Sequence, residues 1–182
     1  MNPATNLLYL DTALALAQAA GSLLLKGAHS CQPAQSKGVS TDLVTHYDRA
    51  AEELIVTGLQ QRHPGHRILA EEGGDRGGDP HAPRWIIDPL DGTKDFLAGT
   101  GEFCVNIALI ERGIPVIGVI AAPISEAIWA AERGRGTVKL VGGAPVPLVG
   151  ARASGAFIGL KSRFHAPPEA DQYLAQLGLD EI

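Results

Sequence analysis

The chain has 182 residues, 45 % of them hydrophobic, and a formal net charge of −5. That length predicts one domain, or one and a half, with apolar material for a substantial core. Mild acidity without a basic stripe argues against a nucleic-acid polymer as partner, while a small anion held through a metal ion remains compatible.

Leu7, Leu10, Leu14, Ala17 and Leu24 recur at helical spacing and predict a helix over 5–27. Residues 13–25 are apolar enough to imitate the core of a signal peptide. No positive side chain precedes them in 1–6, and Asp11 and Gln18 interrupt the run, so an amphipathic or buried helix is expected. No segment is expected to be long and apolar enough to span a membrane. A polar stretch with Cys31, Pro33, Lys37 and Gly38 follows, and 42–45 reads as a strand end or a turn. Asp48 or Thr45 can cap a second helix over 48–62, with Leu54, Ile55 and Leu59 inward; Pro64-Gly65 stops it.

Strands are predicted over 66–70, 85–87, 103–110, 115–121 and 128–131, with 136–140 as a candidate for one more. Residues 73–83 form a Gly/Asp/Pro loop. Turns at Arg112-Gly113 and Arg133-Gly134 imply an antiparallel meander, and 168–178 reads as a short final helix. The expected fold is an α+β layered sandwich, two helices on a mostly antiparallel sheet. Cys31 and Cys104 are the only cysteines and lack metal-type spacing. A disulfide framework is therefore not expected, the cytoplasm fits, and Cys104 reads as a small core residue.

The most informative stretch is Trp85-Ile86-Ile87-Asp88-Pro89-Leu90-Asp91-Gly92-Thr93. A strand that ends in acids and turns on Pro and Gly can hold hard cations. Glu71, at the end of the 66–70 strand, joins Asp88 and Asp91 if the two strands lie side by side. Three carboxylates in one place repel unless a cation neutralises them. The Leu90 carbonyl is a further hard oxygen. Two Mg²⁺ ions about 3.5–4 Å apart could then clamp a phosphate and polarise a water. Gly92 lets the backbone approach a ligand, and the N–H groups after it can bind phosphate oxygens. Thr93 can orient the attacking water, cap a following helix, or both. Lys94 is either a charge for a second phosphate or an ion-pair partner for a neighbouring acid.

Asp88-Pro89-Leu90-Asp91-Gly92-Thr93 resembles the signature of the lithium-sensitive, magnesium-dependent inositol monophosphatase superfamily. Ala70-Glu71-Glu72 resembles its Gly-Glu-Glu segment, Leu43-Val44-Thr45-His46-Tyr47-Asp48 its Val-Thr-x-x-Asp segment, and Lys37 stands where the family has a lysine near the metal waters. A narrower likeness is to the CysQ-type 3'(2'),5'-bisphosphate nucleotidases. It rests on the run from Asp91 to Phe96, on Gly101-Glu102-Phe103-Cys104-Val105-Asn106, on Gly118 to Pro123 and on Ser162-Arg163-Phe164-His165.

The resemblance implies the N-terminal portion of an αβαβα phosphatase fold. Residues 1–145 would form the metal- and phosphate-binding domain, and 146–182 the start of an incomplete second one. It implies Glu71, Asp88, Asp91 and the Leu90 carbonyl as ligands of two or three Mg²⁺ ions. Glu71, Leu90, Asp91, Gly92, Thr93 and Lys94 would contact substrate. Asp48 would hydrogen-bond Thr93 and help it deprotonate the water, so Asp48, Thr93 and Glu71 would be catalytic. It implies adenosine 3',5'-bisphosphate, cleaved to AMP and phosphate in sulfur assimilation. The alternatives are an inositol or other sugar-phosphate phosphatase, or a catalytically incomplete metal- and phosphate-binding fragment. A cytoplasmic site, with peripheral association at the inner membrane, follows from the same likeness.

The family's Trp-Asp-x-Ala and Ser-Ser-x-Lys segments do not occur in these 182 residues. The chain therefore reads as an N-terminal part with weak or no catalysis by itself, and its uncovered second-domain surface invites self-association. Among the remaining features, His63 and His66 lack the further ligands of a zinc site. Ser154-Gly155 lacks the context of a nucleophile elbow. Arg133, Arg135 and Lys139 read as a solvated hairpin face.

Overall fold

A computed structural model describes residues 3–28, 35–36, 43–44, 46–150 and 159–178. Lys37, Thr45, Cys31 and Ser154-Gly155 lie outside the described residues. The chain divides into two compact units, Met1–Leu148 and Val149–Ile182.

In the first unit the elements run α1 (Pro3–Ala28), β1 (Gln35–Ser36), β2 (Leu43–Val44), α2 (His46–Arg62), β3 (Arg67–Ala70), β4 (Gly74–Asp75) and β5 (Arg84–Asp91). They continue with α3 (Thr93–Ala98), β6 (Cys104–Glu111), β7 (Ile114–Ala122), β8 (Ala127–Glu132), β9 (Gly136–Val141) and β10 (Ala144–Leu148). Eight strands form one sheet in the order β10-β9-β8-β7-β6-β5-β3-β4, and β1 pairs separately with β2. From β5 to β10 every neighbour is antiparallel; β5 and β6 are joined through α3, and from β6 on short turns allow the pairing. Among the described strands only β3 and β5 pair in parallel. The second unit contains α4 (Ala170–Gln176), with Lys161 Nζ paired to Asp171 Oδ1.

Alternation sorts the sheet into two faces. Trp85 and Ile87 on β5, and Val105, Ile107 and Leu109 on β6, are buried with Ala17, Leu24, Ile55 and Leu59 of α1 and α2 in one core. Arg84, Ile86 and Asp88 take the alternate positions of β5 and are only partly buried. The two helices cross closely because residue 58 is glycine: a Cβ there would lie 2.4 Å from Leu16 Cδ2. At one edge of the core, His63 Nε2 lies 3.1 Å from Thr12 Oγ1. Its ring stacks on His66 at 5.2 Å and lies 5.6 Å from Trp85, so both histidines belong to an aromatic cluster. Burial first, and the neighbouring His63 second, push His66 down to about 4.

Three expectations change. By length and composition α1 is long and apolar enough to cross a membrane, with a mean hydropathy of 1.4 over Leu8–Ala28. Ala13, Leu16, Ala17, Ala20 and Leu24 are instead buried in the protein core. Strand β10 was not expected because Pro145 and Pro147 interrupt the segment; as the sheet's edge strand it pairs on one side only, and an edge tolerates proline. Strand β5 does not stop at Asp88 but runs to Asp91 through an irregularity.

Candidate active site

That irregularity builds the site. Asp88 pairs with Asn106 and Asp91 with Cys104, so three steps along β5 face two along β6. One extra residue is a β-bulge. In a regular strand residues three apart point to opposite faces; the bulge brings Asp88 and Asp91 to the same one. Pro89, which cannot donate to the ladder, sits inside it. Strand β3 supplies the third acid. The parallel pairing of Ala70 with Ile87 is extended by Glu71 N donating to Ile87 O at 3.1 Å, which sets Glu71 beside Asp88.

Asp88 senses the other two carboxyls. Burial, then the charges of Glu71 and Asp91, push the half-buried Asp88 up to about 7, and a hydrogen bond with the Glu71 side chain adds to this. The Leu90 N–H, which donates to Asp88 Oδ1 at 3.2 Å, opposes the shift. Asp91 is exposed, and its Oδ2 accepts from Asn106 Nδ2 at 3.3 Å.

Cys104 is not the core residue expected. It occupies the alternate face of β6, with Sγ 3.8 Å from Asp91 Oδ2 and 3.7 Å from Asn106 Oδ1. Burial and the charges of Asp91 and Asp88 push its thiol up to about 11, so it stays protonated there. Cys104 and Asn106 were missed as neighbours of the acids. The signal was present: they alternate with the buried Val105 and Ile107.

After the acids the chain turns on Gly92, whose φ of 89° is left-handed. A Cβ there would stand 2.6 Å from the Glu102 carbonyl, so glycine is required twice over. Gly92 takes the N-cap position of α3 and makes no side-chain cap. Thr93 is therefore not the cap: it is the first helical residue, and its Oγ1 donates to the Leu90 carbonyl at 3.1 Å. Phe96 anchors the helix, 5.0 Å from Phe103 and 6.3 Å from Tyr47, ring centre to ring centre. Tyr47 ties the first turn of α2 to α3, and Asp48, buried, follows it. The expected bond between Asp48 and Thr93 is not made: the hydroxyl hydrogen goes to Leu90. Among the described residues Lys94 makes no ion pair, so that reading is not realised.

Glu52 was also missed. It is buried in α2, on the face shared by Asp48, Ile55 and Leu59. Its Oε2 accepts the Glu72 N–H at 2.8 Å, and its Oε1 lies 3.7 Å from Arg76. It pins the turn that carries Glu71.

The donor set suits a divalent cation. Glu71, Asp88, Asp91 and the Leu90 carbonyl are hard oxygen donors, and Asp88 retains its proton first through burial and second through the charges of Glu71 and Asp91. Among the described residues no three His, Cys, Asp or Glu side chains form a group that could by itself hold a metal ion. Mg²⁺ does not demand one, since it ordinarily keeps several waters and takes substrate oxygens.

The chain belongs to the inositol monophosphatase family, whose model matches residues 7–177. The α+β layered arrangement is that of the family's solved structures. CysQ from Bacteroides thetaiotaomicron superposes with a TM-score of 0.72 at 31 % identity, over 93 % of this chain and 68 % of that one. The 3'(2'),5'-bisphosphate nucleotidase CysQ of Shigella flexneri is 36 % identical over 179 residues, 93 % of this chain and 69 % of the relative. Inositol monophosphatase 1 of Solanum lycopersicum is 37 % identical over 131 residues, 70 % of this chain and 48 % of the relative. The chain thus spans between about half and two thirds of the length of these relatives.

Proposed function

We propose that this chain carries the metal- and phosphate-binding half-site of a Mg²⁺-dependent phosphomonoesterase acting on adenosine 3',5'-bisphosphate, with AMP and phosphate as products. The observation that carries the reading is the bulge that turns Asp88 and Asp91 to one face beside Glu71, immediately before the Gly92–Thr93 turn. When bound, Mg²⁺ would neutralise the phosphate and lower the pKa of a water. Glu71, Asp88, Asp91 and the Leu90 carbonyl would hold it. The N–H groups after Gly92 would receive phosphate oxygens, and the glycine keeps that approach clear. Thr93 would switch its hydroxyl from Leu90 to the attacking water, with Asp48 as the buried acceptor behind it. The cation of Lys94, uncommitted among the described residues, would favour a substrate with a second phosphate. In-line attack on a monoester needs positioning and charge neutralisation, which is what these groups provide.

Similarity to a nucleotidase over 93 % of the chain supports the bisphosphate substrate. The 37 % identity to an inositol monophosphatase keeps a sugar phosphate as the second reading. Phosphate release from adenosine 3',5'-bisphosphate and from inositol 1-phosphate, each with Mg²⁺ and with and without Li⁺, tests both. Preference for the nucleotide supports the proposal, and preference for inositol phosphate transfers the site to the second reading. Mg²⁺ binding without turnover of either leaves a binding fragment.

A further inference from the structure

The opposite end of β5 bears the opposite charge. A cleft of about 660 Å³ opens where β5 begins, about 13 Å along the strand from Asp88. Arg67, Arg84 and Arg112 line it, over a floor that includes Ile86 and Ile110. Those three residues come from the start of β3, the start of β5 and the β6–β7 turn, so only the fold gathers them.

The charges do not cancel within the cleft. Arg67 and Arg84 both donate to the same oxygen, Asp75 Oδ2, at 2.9 and 3.1 Å. The other oxygen of Asp75 accepts the Gly77 N–H at 2.8 Å, so three of this carboxylate's about four acceptor sites are already taken. Arg112 makes no hydrogen bond or ion pair among the described residues. Three guanidinium groups against one carboxylate leave two positive charges. Arg67 Nε–H is buried and has no acceptor among the described residues. Among the described residues no acid lines the cleft, and Asp79, in the loop before β5, accepts the His81 N–H on its Oδ1 at 2.9 Å.

The turn that presents Arg112 is expensive. Arg112 and Gly113 have φ of 49° and 77°, the sign pattern of a type I′ hairpin turn, in which Asn-Gly is the favoured pair. Arginine in a left-handed conformation is strained, and a strained residue is worth asking about.

We propose that the Arg67–Arg84–Arg112 cleft is a binding site for a phosphorylated small molecule, distinct from the acidic end of the sheet. Guanidinium forks suit phosphate oxygens, Arg112 has no side-chain partner among the described residues, and the apolar floor receives the body of the ligand. The volume is that of a small-molecule site. The site needs no metal and is independent of the phosphatase reading.

The test is calorimetry of the full chain with pyrophosphate in EDTA, where the metal-free acidic end repels the probe. Wild type should bind one pyrophosphate. Arg84→Gln and Arg112→Asn should each weaken binding about tenfold, the loss of one charged hydrogen-bonding group. Arg112→Asn should also raise the melting temperature, because asparagine suits the turn, so lost binding cannot be lost folding. Arg133→Gln, an exposed arginine outside the cleft, should bind as wild type does. The proposal is overturned if wild type takes up no pyrophosphate, if both cleft variants bind as wild type, or if Arg133→Gln weakens binding equally.

Discussion

The two ends of β5 solve the same electrostatic problem in different ways. At the Arg84 end, two guanidinium groups share a carboxylate supplied by the protein, and the excess charge is spread over a cleft. At the Asp88 end the three acids receive no counter-cation in the described contacts, and Asp88 instead retains a proton to about neutral pH. Arg84 and Asp88 lie on the same face of one strand, four residues apart. A regular alternation suffices to expose Arg84, but bringing Asp91 to the face of Asp88 took a bulge. The acidic end therefore depends on local backbone distortion, the arginine end on long-range assembly.

Substitutions should separate the two. The largest effect is expected at Gly92. Alanine there meets the Glu102 carbonyl and a left-handed φ together, and should cost about 2–5 kcal/mol in urea unfolding and, under the proposed function, abolish phosphate release. Pyrophosphate binding at the arginine cleft should survive wherever the protein remains folded.

Asp88→Asn should work in the other direction on the metal-free fold. The folded pKa of Asp88 is raised from 3.8 to about 7, so its folded-state proton favours stability below 3.8 and that contribution is lost as pH rises through 7. At pH 8 the ionised group is repelled by its neighbours. Asparagine should then stabilise the apo chain by about 1–2 kcal/mol after discounting for solvent, and the gain should vanish in acid.

A third measurement concerns neither end. The folded pKa of His66 lies at about 4, below its usual 6.5, so the unfolded chain takes up a proton first as pH falls. Thermal stability should decline between pH 6.5 and 4, and His66→Gln should flatten that slope; an unchanged slope would remove His66 as its source. The smallest effect is expected for Cys104→Ala. The 3.8 Å contact with Asp91 is long, and the change should stay within about 0.5 kcal/mol, with Mg²⁺ affinity retained.

Sequence made the two main helices legible, because Leu14, Ala17 and Leu24 in one and Ile55 and Leu59 in the other recur with helical period. It also made the meander legible, because Arg112-Gly113 and Arg133-Gly134 punctuate apolar runs. Glu71, Asp88, Asp91, Gly92 and Thr93 stood out because strand-end acids followed by Gly and a hydroxyl form a local pattern. The bulge was not legible: Pro89 marks an irregularity but does not say which face the second aspartate takes. Strand β10 was hidden by its prolines. The arginine cleft left no local trace, since residues 67, 84 and 112 meet only once β3, β5 and β6 are paired.

The most direct test is Mg²⁺ titration of the metal-free chain by calorimetry at pH 6.5, in buffers of different ionisation enthalpy, beside Asp88→Asn. Convergence of the acids predicts that wild type binds Mg²⁺ and releases a proton as Asp88 ionises, while the variant binds none. Wild-type affinity in Asp88→Asn, or binding with no proton released, would contradict it.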